Sequence, residues 1–333
     1  LDSITQMVLG GAVGEATLGK KVGNKAVLYG MIAGTIPDLD VVANFLTDTI
    51  TAIELHRGVS HSVFFALIMS PVFGWLVNKL ERKKNLGWKP WARLFFWGLL
   101  THAVLDAFTT WGTQLFWPFD LRLAYNTIFV IDPMYTVPFL IFLVLAMFNK
   151  RGSGIRSKLN WTGIGISSGY LLLCVLLKWA AFSKFENALE TQGIEYKEMS
   201  TRPAPFTTVL WNANVDTEQD YLIGDYSFFD NKPITFTPFA KDRLLSREFS
   251  ERPNVKRLIK ISEGWYIIDK RDGQWHFNDL RFGLIPKRDG SFSFAFSYLL
   301  TEEDGKIMAT EDPKTREDAA YLMGQLWERI KGD

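Results

Sequence analysis

Apolar segments at about 26–46, 62–80, 91–111, 128–148 and 160–182, most close to the roughly 20 residues that cross a bilayer as a helix, decide what this chain can fold into. In hydrocarbon the backbone must satisfy its own hydrogen bonds, so such segments fold as helices. Pro71, Pro133 and Pro138 fall inside them and are tolerable where neighbouring helices or side chains satisfy the freed backbone groups. A shorter helix is expected at 4–19, and its length and Glu15 point to partial insertion. The opening Leu1-Asp2-Ser3-Ile4-Thr5-Gln6 lacks the basic region of a signal peptide, so this helix is expected to be retained. Gly10 and Gly14 stand four apart, as do Gly30 and Gly34, a spacing that lets two helices approach closely as a hairpin.

From residue 183 the pattern changes. A mean hydropathy of +0.03 averages an apolar half with a half of ordinary soluble charge density. The net charge of +1 argues against a dedicated nucleic-acid binder. The single cysteine, Cys174, excludes an internal disulfide and a Cys-rich zinc site. Runs rich in β-branched and aromatic residues predict strands at 207–213, 221–229, 255–261, 265–268, 283–285 and 292–296. Asp272-Gly273 and Asp289-Gly290 are hairpin-turn signals between such runs. After Pro313, the stretch Asp318 to Ile330 places Ala319, Leu322, Met323, Leu326 and Ile330 at helical spacing. The expected architecture is an α-helical polytopic membrane domain over 1–182, followed by a soluble α+β domain, mostly antiparallel sheet, over 183–333.

Charge in the loops orients the segments. Lys20, Lys21 and Lys25 lie in the first loop, Lys79, Arg82, Lys83, Lys84, Lys89 and Arg93 in the third, and Lys150, Arg151, Arg156 and Lys158 in the fifth. The intervening loops, 47–60 and 112–127, carry only Arg57 and Arg122. Basic loops stay cytoplasmic, which puts the N-terminus and the 183–333 domain outside.

That parity gathers the chemistry. Asp38, Asp40, His56, His61, His102, Asp106 and Asp132 all fall toward the outer face, and Asp2 would start the first helix on the same side. Three of the four histidines are in this set. Imidazole and carboxylate are common ligands of zinc and its first-row neighbours. His102 and Asp106 share a helix face at a spacing of four, His56 and His61 flank Gly58 in a turn, and Asp38 and Asp40 follow Pro37 in a loop. Ionisable groups at membrane depth cost on the order of 3 kcal/mol and need a partner or a purpose. The reading is a site for one or two divalent metal ions, with zinc the first choice: His56, His61, His102 and Asp106 as ligands, Asp38 and Asp40 as ligands or as base and support. Arg57 and Arg122 are read as anion clamps or as snorkelling to head groups. Thr109, Thr110, Gly112 and Thr113 read as a helix cap or, through their hydroxyls, as hydrogen-bond support for the ligands, Trp111 and Trp117-Pro118 as an interfacial belt, and His276 as an exposed strand or loop residue.

The order Pro37-Asp38-x-Asp40, His56-Arg57-Gly58-x-x-His61-Ser62, His102-x-x-x-Asp106-x-x-Thr109-x-x-Gly112 and Trp117-Pro118 resembles the YdjM-like family of bacterial inner-membrane, metal-dependent hydrolases over roughly residues 1–150. The resemblance implies a metal-dependent hydrolase in the bacterial inner membrane. Members often carry a histidine near the start of the first helix. Here that region is Asp2-Ser3-Ile4-Thr5-Gln6, so the position is filled by Asp2, Gln6 or nothing.

The function expected is hydrolysis of an ester or phosphodiester in a membrane lipid or lipid-linked substrate at the outer leaflet, with metal-activated water, catalytic Asp38 and Asp40, and Arg57 holding the anion. The alternative is a non-enzymatic metal-stabilised scaffold or an ion or solute transporter. A transport path needs polar groups on both membrane faces, and the inner half offers little beyond Glu15.

Overall fold

The computed structural model describes residues 1–241, 249–303, 305–312 and 319–333, and the chain divides into two units. The first comprises 1–45, 55–176 and 205–207. Its helix α1 (Ser3–Val22) opens on Asp2, whose carboxylate accepts the N–H groups of Ile4 and Thr5. Gly23 turns the chain with a φ of 64° into α2 (Asn24–Thr35). The two helices pack backbone to backbone: a Cβ on Gly10 or Gly30 would run into the other's carbonyl, and one on Gly34 into the carbonyl of Gln6. This is the hairpin that the glycine spacing predicts.

The segment expected at 26–46 is broken. Pro37 has no N–H to offer the carbonyl four residues back, and the chain tightens there into a 3-10 stretch, Pro37–Phe45. A second 3-10 turn, Val59–His61, leads to Ser62, which accepts the N–H of Phe65 and opens α4 (Val63–Leu80). Helix α5 (Trp88–Asp106) packs on α1, α2 and α4 around Leu18, Ala33, Val77, Trp91, Leu94 and Phe95. Gly98 lets it close on Ala33. Asp132 caps α6 (Pro133–Met147), whose Tyr135, Phe139 and Leu143 pack with Val8 and Ala12 of α1. Helix α7 (Gly154–Thr191) is 38 residues long and continues well past the predicted end at 182.

Among the described residues, three stretches are long and apolar enough to cross a membrane, Asn24–Ala43, Val63–Leu80 and Gly154–Thr191, while Pro133–Met147 is apolar but shorter. Their outward side chains are the kind that face lipid: Ile68 is 66 % exposed and Leu172 62 %.

The second unit comprises 46–54, 177–204 and 208–333. Its described residues form two four-stranded antiparallel sheets in meander order, β1 (Glu198–Pro203), β2 (Leu210–Asp216), β3 (Asp220–Ser227), β4 (Phe236–Ala240), then β5 (Tyr266–Arg271), β6 (Gln274–Pro286), β7 (Phe292–Glu303) and β8 (Lys306–Glu311). Ala181, Phe185 and Leu189 of α7 bury against Trp211, Ala213 and Val215 of the first sheet. Asp272 and Gly273 both have positive φ, 52° and 82°, and join β5 to β6 in a two-residue turn, as the Asp-Gly pair predicts.

The stretch 255–261, expected as a strand, is instead helix α8 (Pro253–Ile261). Pro253 starts it, and Val255 and Leu258, three apart, bury with Ile50 of α3 (Thr49–Leu55) against the second sheet. Helix α9 (Ala319–Ile330) covers the described part of the predicted tail helix, and Pro313 and Asp318 lie outside the described residues. His276 is buried in β6 rather than exposed, its Nδ1 2.9 Å from Asp312 Oδ2.

Candidate metal centre

Three local structures aim four side chains at one point. The 3-10 stretch after Pro37 brings Asp38, the turn before α4 brings His61, and the last turn of α5 brings His102 and Asp106. One ligand atom from each of these four lies within 4.8 Å of all the others. His61 Nε2 is 3.1 Å from His102 Nε2, 3.5 Å from Asp38 Oδ1 and 3.3 Å from Asp106 Oδ2. His102 Nε2 is 3.4 Å from Asp38 Oδ1 and 3.6 Å from Asp106 Oδ2. Bonds of about 2.0–2.1 Å to a tetrahedral ion would set ligands about 3.3 Å apart, so these spacings suit a single zinc-sized cation.

The proton positions sharpen the fit. His102 Nδ1 lies 2.6 Å from the carbonyl oxygen of Gly34, which can only accept, so Nδ1 carries the hydrogen and the neutral ring turns a lone pair inward at Nε2. His61 Nδ1 has Asp40 Oδ2 at 3.3 Å and Ser60 Oγ at 3.0 Å, which favours the same tautomer. Asp106 is fully buried, yet its Oδ2 receives no hydrogen bond; Arg57 Nε stands 3.1 Å away with its N–H aimed elsewhere. Two facing lone pairs and a buried carboxylate oxygen that receives no hydrogen bond are costly without a cation between them.

Around the four, other side chains hold them in place. Asp40 accepts from the Arg57 backbone N–H at 2.8 Å and from Ser60 Oγ at 3.2 Å, and its Oδ1 is 3.0 Å from His56 Nδ1. Asp40 and His56 thus stand beside the cluster of four and not in it; His56 reaches His61 only edge to face, with ring centres 6.3 Å apart. Arg57 has a φ of 58°, a strained conformation for a side-chain-bearing residue, fixed by the Asp40 contact. Its guanidinium is buried, donates to Thr109 Oγ1 at 2.7 Å and to the Gly112 carbonyl at 3.5 Å, and is committed to the carboxylate of Asp106. Thr109 closes the helix end by donating to the Asp106 carbonyl and carries Arg57 as well.

The remaining expected residues separate clearly. Gln6 reaches the cluster, with Nε2 2.9 Å from Asp106 Oδ1 and a buried Oε1 that has no partner. The backbone nitrogen of Leu1 also contacts Asp106 Oδ1. Asp2 caps α1, and Asp132 caps α6 while accepting from the Tyr170 hydroxyl at 2.9 Å. Arg122 donates to the carbonyls of Trp111 and His56, at 3.1 and 3.3 Å, and braces the loop. Two partners were missed in the sequence. Ser60 sits within the His-Arg-Gly-x-x-His block and was open to reading; the Gly34 carbonyl is backbone and leaves no signal.

A helical unit with membrane-length apolar helices and a buried pair of imidazoles facing two carboxylates defines a membrane protein with a candidate metal centre. The sequence profile of the YdjM inner membrane protein family matches residues 1–185, and the chain belongs to that family. The matched region contains the whole cluster and ends within α7. No curated protein and no solved structure matches the chain.

Proposed function

We propose that this protein is a membrane-embedded, metal-dependent hydrolase that cleaves an ester or phosphodiester in a lipid or lipid-linked substrate at the outer face of the inner membrane. The observation that carries the reading is the convergence of His61 Nε2, His102 Nε2, Asp38 Oδ1 and Asp106 Oδ2, which receives no hydrogen bond, on one point. A divalent cation held there, zinc by ligand type and spacing, would supply Lewis acidity toward a carbonyl or phosphoryl oxygen.

The chain's own residues divide the remaining work. His61, His102 and Asp106 have no solvent exposure, whereas the Asp38 side chain is 21 % exposed. Asp38 therefore faces the open side, where its carboxylate can take a proton from an attacking water. Asp40 steadies the ring of His61 through Nδ1, and the Arg57 guanidinium balances the charge of Asp106.

Apolar side chains beside the site favour an amphiphilic substrate. Leu39 and Phe45, in the same 3-10 stretch as Asp38, are 58 % and 85 % exposed. Phe119, 67 % exposed, lies in a loop tied to the site by the Gln114 N–H donating to the Arg57 carbonyl at 3.0 Å. The basic loops gather at the far end of the bundle, where Arg151 donates to the Lys21 carbonyl and Lys25 pairs with Glu81. That separation supports an outward-facing site by the charge rule.

Metal analysis of the purified full chain, run beside a turnover screen of phospholipids and lipid-linked phosphodiesters, tests the reading. Stoichiometric divalent metal with release of a water-soluble head group is expected. A chain that binds metal and turns over no such substrate belongs to the scaffold or transporter class instead.

A further inference from the structure

The stretch that separates Asp40 from His56 in the chain belongs to the second unit. Asp38 and Asp40 precede Phe45, and His56, Arg57 and His61 follow Leu55, all in the first unit, whereas Leu46–Glu54 is part of the other. Asp48 starts helix α3 there, its carboxylate accepting the Thr51 N–H at 3.1 Å and the Thr51 hydroxyl at 2.5 Å. Ile50 is 1 % exposed and packs with Val255, Leu258, Phe277 and Tyr298, and Ile53 lies against the same cluster. A short helix with an isoleucine in that core is an integral part of the second unit.

Its polar side is held by Arg257 of α8. The guanidinium meets the Glu54 carboxylate at two points, Nε at 3.0 Å from one oxygen and Nη2 at 2.7 Å from the other, and Nη2 also donates to Thr51 Oγ1 at 2.8 Å. Nη1 is 3.4 Å from Asn254 Oδ1, and Asn254 donates to the Ile307 carbonyl of β8 at 2.6 Å. The two side chains are 33 % and 37 % exposed, so the pair contributes little to stability. What a planar, two-point contact does supply is direction.

That direction matters because α3 runs straight into the site. It ends at Leu55, and the Gly58 N–H donates to the Leu55 carbonyl at 3.0 Å, so the turn bearing His56 and Arg57 is built on the last residue of the helix. From this turn the Arg57 N–H reaches Asp40 Oδ2 at 2.8 Å, and the Arg57 guanidinium stands beside Asp106.

We propose that Arg257, 203 residues from Glu54 in the chain, is a positioning residue of the candidate metal centre: by orienting Glu54 it sets the end of α3, and with it the turn that places Arg57 against Asp40 and Asp106. The proposal rests on the metal-centre reading above and adds that the second unit tunes that centre through the chain. A merely structural ion pair would affect the melting of the second unit and nothing at Arg57.

Hydrogen exchange of the Arg57 amide and zinc competition against a chelator, both on the full chain in nanodiscs, test this. Arg257→Ala should quicken exchange at Arg57 and lower zinc affinity, each about fivefold, with the number of ions at saturation unchanged. Lys256→Ala, which removes the neighbouring cation on α8 and its pair with Glu251, is the control and should change neither. Glu54→Ala should match Arg257→Ala, and the double variant should be no worse than either, since all three lose one contact. Unchanged Arg57 exchange in Arg257→Ala overturns the inference whether or not zinc binds. So does faster exchange with unchanged zinc affinity, or a double variant whose effects add. A wild type that takes up no zinc defeats the metal reading instead, and the exchange rates then decide by themselves whether Arg257 sets the turn.

Discussion

The imidazole of His102 donates its Nδ1 hydrogen to the carbonyl of Gly34, 2.6 Å away on α2, and through that bond the packing of two glycine-faced helices fixes the tautomer at the candidate metal centre. The glycine is needed because α1 passes too close for a side chain, with the Gln6 carbonyl occupying the space a Cβ would take. Gly34→Ala should therefore push α2 away from α1, cost about 1–3 kcal/mol of stability, and loosen metal retention by moving the acceptor of His102. Gly165→Ala, where a Cβ meets nothing, is the control and should leave both unchanged. Thermal unfolding in detergent with metal content of the folded fraction reads both effects.

His61→Ala and Asp106→Ala each remove one corner of the cluster. Both should abolish metal retention and any lipid hydrolysis while the protein still inserts in the membrane. Full metal content and full activity in both variants would sink the hydrolase reading.

Asp40 holds His61 from behind, touching its Nδ1, while the four converging atoms do not include it. Asp40→Asn should lower metal affinity by about 10–100-fold without changing the stoichiometry at saturation. Titration with a competing chelator gives both numbers. A loss of stoichiometry would make Asp40 a ligand.

Reporter fusions settle the orientation. Lys83 and Arg151 should test as cytoplasmic and a fusion after residue 190 as extracytoplasmic. Cytoplasmic activity of that last fusion would reverse the topology and turn the site inward.

In the second unit, Asp230 meets two nitrogens of Arg329 at 2.5 Å and accepts the Ser227 N–H at 2.8 Å. Burial pushes its carboxyl up, but these bonds from Arg329 and the Ser227 backbone win and hold it below its ordinary value. A carboxyl lowered in the folded state stabilises fully above the unfolded value of about 3.9, and this contribution disappears as pH falls through the folded value. The melting temperature of the wild type should thus fall more steeply below about pH 4 than that of Asp230→Asn, which starts on the order of 1–3 kcal/mol less stable near neutrality. Parallel melting curves across that range would show that the pair is not linked to folding.

Spacing in the sequence carried the helical hairpin and the Asp-Gly turn, because both depend on contacts between near neighbours and on which residues tolerate positive φ. It also brought His61, His102, Asp38 and Asp106 into one candidate set. It could not rank the members. Asp38 and Asp40 are two residues apart, and only the 3-10 geometry after Pro37 decides that Asp38 meets His61 and His102 at Nε2 while Asp40 backs His61 at Nδ1. His56 and His61 are likewise sorted by the turn between them, in which Arg57 has a positive φ. Residues 255–261 misled because β-branched side chains favour strands in isolation, while burial of Val255 and Leu258 on one face selects the helix. Pro253 was the signal against a strand.

The four cluster residues leave the ribosome in two instalments. Asp38 and His61 emerge first, and Asp106 follows 45 residues behind His61, about 2–9 s later at ordinary elongation rates. During that interval a nascent chain shows half of the candidate set, and the four atoms converge only once α5 docks against the glycine hairpin. A metal held by these four residues would therefore be acquired late in the biogenesis of this protein, downstream of helix packing.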